Sequence, residues 1–182
     1  MAPFIADPQV DGGGLMRAVM ALSGGMDSTG LLMRLIADGY QVSCISYEYG
    51  QKHNVELERA NANIQYLADN GIDVEHRLVD ISSAVGLFHS ALTSDDIDIP
   101  EGHYEEEQMK STVVPNRNAI FASIVYGYAL SIASKEDTDV VIALGVHSGD
   151  HAIYPDCRPE FYDSLGEAFA IGNWDSERVS FH

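Results

Sequence analysis

Cysteine is nearly absent from this chain of 182 residues: Cys44 and Cys157 are its only two, and they stand far apart. No disulfide framework is indicated, and a cytoplasmic protein is the simpler reading. Basic residues are scarce too. Ten Lys plus Arg face 28 Asp plus Glu, for a formal net charge of -18. Such a surface repels phosphate backbones, which argues against direct nucleic-acid binding but leaves room for a local cationic pocket around a small anion. No apolar run approaches the roughly 20 residues of a membrane helix, so no membrane partner is expected. The opening residues lack a basic start and an apolar stretch. With Asp7, Asp11 and Gly12-Gly13-Gly14, positions 1–14 read as a flexible leader and not a signal peptide.

What remains, positions 15–182, has the apolar content of one globular domain with a real core, at 46% hydrophobic residues overall. Leu15 to Leu22 is an apolar run that stops at Ser23-Gly24-Gly25, and Leu31, Leu32, Leu35 and Ile36 then share a helical face up to Gly39. Val42 to Tyr47 reads as a second strand, Leu57 to Leu67 as a helix ending near Gly71, and Val74 to Ile81 as a third strand. Ser82 to Thr112 holds no sustained period, apart from a short helix expected at Ala84 to Leu92; an excursion this long suggests a functional lid or disorder. Asn116 to Ser134 is an amphipathic helix, Val140 to Leu144 a buried strand, and Pro159 to Ile171 a last helix. This alternation predicts an α/β fold: an open parallel five-stranded sheet, order 3-2-1-4-5, with helices on both faces. Ligands then bind beyond the carboxyl ends of the strands, at the switch in strand order.

The stretch Ser23-Gly24-Gly25-Met26-Asp27-Ser28 joins the first strand to the first helix. Its glycines allow a tight turn that aims backbone N–H groups at one anion, and the helix adds its positive end. Two hydroxyls, of Ser23 and Ser28, can donate as well. A plain strand-to-helix turn capped by Asp27 or Ser28 is the bland alternative. There is no Gly-Lys-Ser or Gly-Lys-Thr, so this is no Walker loop, and G-x-G-x-x-G is missing as well. An acid beside phosphates implies a cation between them, which assigns Asp27 to Mg²⁺.

S-G-G-M-D-S resembles the PP-loop of the ATP pyrophosphatase superfamily, which cleaves ATP between its α and β phosphates. Three further stretches extend the resemblance. They are Gly50-Gln51-Lys52-His53 with Glu56, Val114-Pro115-Asn116-Arg117-Asn118 with Phe121, and Tyr154-Pro155-Asp156-Cys157-Arg158-Pro159-Glu160-Phe161. Together they are similar to the 7-cyano-7-deazaguanine synthase family, and the similarity runs from about Met16 to the last residue. The resemblance implies the adenine-nucleotide alpha-hydrolase-like fold and a carbon–nitrogen ligase. Such an enzyme turns 7-carboxy-7-deazaguanine and ammonia into 7-cyano-7-deazaguanine through an adenylated carboxylate and an amide, releasing AMP and pyrophosphate.

On this reading ATP contacts Ser23, Gly24, Gly25, Met26, Asp27, Ser28, Gln51, His53 and Arg117. The deazaguanine contacts Asp156, Cys157, Arg158, Glu160 and Phe161, and the residues assigned to catalysis are Asp27, Arg117 and Asp150. Each has an ordinary alternative: Gln51 and His53 as helix caps, Arg117 in a surface ion pair, Cys157 as a small hydrophobe. His147, Asp150 and His151 sit in a glycine-containing loop, where substrate or Mg²⁺ contact is favoured over zinc. Full-length members of the family are expected to hold Zn²⁺ on four C-terminal cysteines. These 182 residues lack that set and are read as the PP-loop domain without the zinc-binding tail. Two alternatives stay open beside the nitrile: a shortened homologue that stops at 7-amido-7-deazaguanine for DNA modification, and a nucleotide-binding module without turnover. A homodimer is also left open.

Overall fold

The computed structural model describes residues 16–50, 55–88, 114–146 and 154–182. Five strands form one sheet: β1 (Arg17–Ala21), β2 (Gln41–Glu48), β3 (Glu75–Asp80), β4 (Val140–Leu144) and β5 (Val179–Phe181). Among the described residues the α-helices are α1 (Met26–Ala37), α2 (Val55–Asp69), α3 (Ser82–Val85), α4 (Arg117–Glu136) and α5 (Pro159–Gly172). The strand order is β3-β2-β1-β4-β5, every pair parallel, as the alternation of elements predicts. β1 is central, with Ala21 level with Ile45 of β2 on one side and Leu144 of β4 on the other.

Both faces of the sheet are covered, which is why β1 and β4 are mostly apolar and β2 is buried along most of its length, Ser43 and Ser46 included. On one face Ala18, Met20, Val42, Cys44 and Ala143 pack beneath Leu32 and Leu35 of α1 and Ala60 and Leu67 of α2. On the other Val19, Ile45 and Ile142 meet Val125, Ala129 and Ile132 of α4. Neighbouring residues of a strand thus serve opposite cores, as the two-residue period requires. Gly39, at φ +87°, closes α1 in the left-handed conformation expected of a helix-terminating glycine. No described helix is long and apolar enough to cross a membrane.

Several boundaries differ from the sequence reading. The helix expected at Ala84 to Leu92 is the one-turn α3, Ser82–Val85, and the residues beyond position 88 lie outside the described ones. The expected leader (1–14) and the loop with Asp150, expected to be catalytic, also lie outside them. β5 was expected only as a fifth strand without a location; it is three residues long and paired to β4.

The β2–β3 edge carries a proton-linked contact. Ser46, fully buried, donates its hydroxyl to the Leu22 carbonyl at 2.6 Å and so accepts from His76 Nε2 at 2.8 Å. Burial lowers the His76 pKa from its ordinary 6.5. The folded state therefore binds fewer protons than the unfolded chain below that value, and stability falls as pH drops through the unfolded pKa toward the folded one. Urea unfolding from about pH 7.5 to about pH 5.5 is expected to lose midpoint more steeply in the native protein than in His76→Gln. Equal slopes would contradict this contact.

Candidate nucleotide and substrate site

Where the chain leaves β1 it cannot continue outward, because α2 crosses the loop. Gly24 sits at φ +81°, and a Cβ there would lie 2.3 Å from the Glu56 carbonyl oxygen and 2.6 Å from the Ala60 nitrogen. The first glycine is thus required twice, by conformation and by close approach. Gly25 differs. It takes an ordinary φ of -71°, is the N-cap of α1, and provides no side-chain cap. The loop is tied internally by hydroxyls: Ser23 Oγ and Ser28 Oγ are 3.0 Å apart, the Gly25 N–H donates to Ser23 Oγ at 3.2 Å, and Ser28 Oγ lies 3.2 Å from the Gly25 carbonyl. A Cβ on Gly145, just after β4, would come within 3.0 Å of the Ser28 Cα. The β4 exit therefore presses on the first turn of α1, and two loops meet at the switch point between β1 and β4.

A cavity of about 220 Å³ opens there. Ser23 and Ser28 form one wall, Leu144 to Val146 another, and Arg117 and Asn118 on the first turn of α4 a third. Tyr47, Tyr49 and Phe121 make it largely aromatic. Tyr47 and Phe121 stack with centroids 4.0 Å apart and planes 2° from parallel, and the Tyr47 hydroxyl donates to the Phe121 carbonyl at 2.9 Å. The Arg117 guanidinium lies 6.0 Å from the centroids of both Tyr49 and Phe121, within cation–π range. Burial raises the Tyr49 phenol above its ordinary value, and the adjacent Arg117 charge works the other way. In a strongly acidic protein, this is a cationic group that shares a cavity with Ser23 and Ser28, which flank the glycine turn at a helix N-terminus.

The predicted site residues divide into three groups. Ser23, Ser28 and Arg117 line the cavity together. Gly24, Gly25, Met26 and Asp27 shape the turn beside it; Met26 is 88% exposed, and the exposed Asp27 carboxylate takes no hydrogen bond or ion pair among the described residues. Gln51, His53 and Asp150 lie outside the described residues. The five residues assigned to the deazaguanine form no direct part of the lining. They stand behind it: Cys157 Sγ is 3.9 Å from Asn118 Nδ2, Asp156 and Cys157 form a single 3-10 turn, and Arg158 and Glu160 are exposed at the start of α5. The reason is the turn itself, which carries the chain past the cavity mouth and brings Tyr162 into the lining.

Sequence reasoning missed Tyr47, Tyr49 and Tyr162 as wall residues. The available signal was weak: Tyr47-Glu48-Tyr49-Gly50 straddles the carboxyl end of a strand, where ligands bind. No three His, Cys, Asp or Glu side chains are grouped to hold a metal among the described residues. A structural zinc site of four ligands therefore has no fit among them, whereas Mg²⁺ held by one carboxylate and substrate phosphates needs no such cluster. Cys44 is buried in the sheet, and burial pushes its thiol up to about 12, so it is no nucleophile.

Comparison with known proteins follows the same lines. The family profile described as "Queuosine biosynthesis protein QueC" matches residues 17–182. A 7-cyano-7-deazaguanine synthase from Colwellia psychrerythraea is 46% identical over 163 residues, covering 90% of this chain and 70% of that protein. The synthase of Hahella chejuensis is 45% identical, covering 90% and 66%, and that of the archaeon Methanoregula boonei 46% identical, covering 88% and 69%. The chain thus spans about two thirds of the length of these relatives. Among solved structures, a 4-thiouridine synthetase in complex with RNA and bound ATP superimposes with a TM-score of 0.54 at 13% identity, covering 92% of this chain and 36% of that one. A predicted tRNA methyltransferase subunit from Methanocaldococcus jannaschii gives 0.51 at 14% identity, covering 92% and 67%. These two likenesses concern the fold alone.

Proposed function

The chain belongs to the QueC family of queuosine biosynthesis proteins, and from that premise we propose that it is an ATP-dependent ligase making 7-cyano-7-deazaguanine from 7-carboxy-7-deazaguanine and ammonia. The observation that carries the reading is the cavity at the switch point, lined together by Arg117 and by Ser23 and Ser28, the two ends of the S-G-G-M-D-S turn. A carboxylate resists attack by ammonia because its leaving group would be oxide. Transfer of AMP from ATP forms a bond between a carboxylate oxygen and the α phosphorus and breaks the bond to the β-phosphate bridge. Pyrophosphate departs, and ammonia then displaces AMP to leave an amide. A second ATP takes up the amide oxygen in the same way, and loss of AMP gives the nitrile.

The chain's own residues act by position and charge. The Gly24 turn and the α1 N-terminus receive the β and γ phosphates, with the Ser23 and Ser28 hydroxyls as further donors. Arg117 balances the charge that develops as the α phosphorus is attacked, and the rings of Tyr49 and Phe121 keep its guanidinium near the cavity. Asp27, exposed and without a partner among the described residues, is the carboxylate that would hold Mg²⁺ beside the phosphates, and the ion would supply positive charge against the departing pyrophosphate. Water is held back from the reacting carbonyl by the apolar lining. The Asp156-Cys157-Arg158 turn supports the deazaguanine end through Asn118, and ammonia is the third substrate. Asp150, Gln51 and His53 keep the roles that the family resemblance gives them.

Phosphorus NMR of a reaction mixture tests this reading. AMP and pyrophosphate are expected to appear only when 7-carboxy-7-deazaguanine is present. Substrate-dependent ADP and phosphate would assign the loop to a different transfer.

A further inference from the structure

Tyr162 is the residue of the cavity wall with an unanswered demand. Its ring lines the cavity, yet its hydroxyl oxygen is buried and has no hydrogen-bond partner among the described residues. A buried hydroxyl without a partner is costly, and native proteins rarely leave one so. The ring cannot relieve the cost by swinging out. It stands edge-on to Phe161, centroids 5.1 Å apart, and 6.4 Å from Phe181, whose strand is paired to the sheet. It is also placed near groups that matter to this site, among them Cys157, Asp156 and Arg117. Burial raises that phenol above its ordinary value, so near neutral pH it is a neutral O–H, able to donate.

We infer that the Tyr162 hydroxyl is completed by the bound deazaguanine, donating a hydrogen bond to the edge of the base that carries its oxygens. The inference rests on the synthase reading above. On 7-carboxy-7-deazaguanine the ring carbonyl and the 7-carboxylate lie side by side, so one edge offers acceptors to a donor and negative charge to a cation. Tyr162 and Arg117 supply that pair from neighbouring helices. On the proposed reading ATP is held by its phosphates at the glycine turn, which leaves the Tyr162 hydroxyl to the base. Tyr162 is thereby a specificity residue for the base and takes no part in proton transfer.

Tyr162→Phe removes one oxygen and keeps the ring and its packing. Because the hydroxyl has no partner to lose among the described residues, the melting temperature is expected to hold or rise. Calorimetry with 7-carboxy-7-deazaguanine is expected to show affinity weakened roughly five- to twentyfold, the loss of one hydrogen bond, with ATP affinity unchanged. Under turnover KM for the base rises more than kcat falls. Unchanged base affinity, or equal weakening for base and ATP, would overturn the inference while leaving the synthase reading intact. A lowered melting temperature would also overturn it, since the hydroxyl would then be satisfied within the protein. Failure of the native protein to bind the base at all would remove the synthase reading and this inference together.

Discussion

Gly24→Ala is expected to cost the protein its nucleotide site and a large part of its stability. An alanine Cβ would sit 2.3 Å from one backbone atom of α2 and 2.6 Å from another, and backbone cannot rotate aside as a side chain can. Left-handed φ adds about 1–2 kcal/mol for a non-glycine residue, and overpacking commonly adds about 1–3 kcal/mol more. Against a typical total of about 5–15 kcal/mol this is a severe change. Relief requires α2 to move away from the turn, and then the backbone no longer cradles a phosphate. Urea denaturation and ATP calorimetry are expected to report a midpoint well below that of the native protein and no measurable binding. Gly25→Ala is the control. Its φ is ordinary, and its nearest obstacle is the Ser23 hydroxyl at 3.3 Å, a small group that can adjust. A Gly24→Ala protein with native midpoint and native ATP affinity would mean that α2 does not press on this loop.

Asp27→Asn separates chemistry from folding in the opposite way. The carboxylate is exposed and unpaired among the described residues, so its neutral isostere is expected to change stability by no more than about 0.5 kcal/mol. On the proposed reading, its removal withdraws the charge that would place Mg²⁺ on the pyrophosphate. Turnover is expected to fall on the order of a hundredfold or more, as when a preorganised group facing developing charge is lost. Raising Mg²⁺ is expected to restore part of the rate. Initial rates titrated with Mg²⁺ alongside thermal melts decide the matter. Native turnover at low Mg²⁺ would remove Asp27 from the metal's shell, and a lowered melt would give it a structural role instead, as a negative charge in the first turn of α1.

The scaffold was legible because its signals are local. The centre of β1 and all of β4 are apolar runs of the kind a doubly covered sheet requires, and Ser23-Gly24-Gly25 marks an abrupt turn between strand and helix. β5 was not legible at its position. Val179-Ser180-Phe181 has no period of its own and is a strand only because Val179 lies level with Val140. The site followed the same rule. The phosphate turn is one contiguous stretch, so its residues announce it. The aromatic wall is a tertiary fact: Tyr47 and Phe121, 74 residues apart, look like core residues until the sheet and α4 bring them together. The Tyr154 to Phe161 stretch stood out for its composition. Yet its 3-10 turn sets Asp156 and Cys157 behind the cavity and delivers Tyr162, the residue just past the motif, to the lining. Spacing shows that such a segment is unusual but does not show which of its side chains faces a ligand.

The central claim is that one cavity carries a carboxylate through adenylation to a nitrile. Mass spectrometry of the base after incubation with ATP, Mg²⁺ and ammonia tests it most directly, because each stage has its own mass. Amide is lighter than the ammonium carboxylate by one water, and nitrile is lighter by a second. The account predicts the nitrile, with AMP formed alongside, and nitrogen from labelled ammonia retained in the product. Label that stops in the amide would limit the chain to the first half of the reaction. Unchanged carboxylate, with ATP bound but uncut, would contradict the account outright.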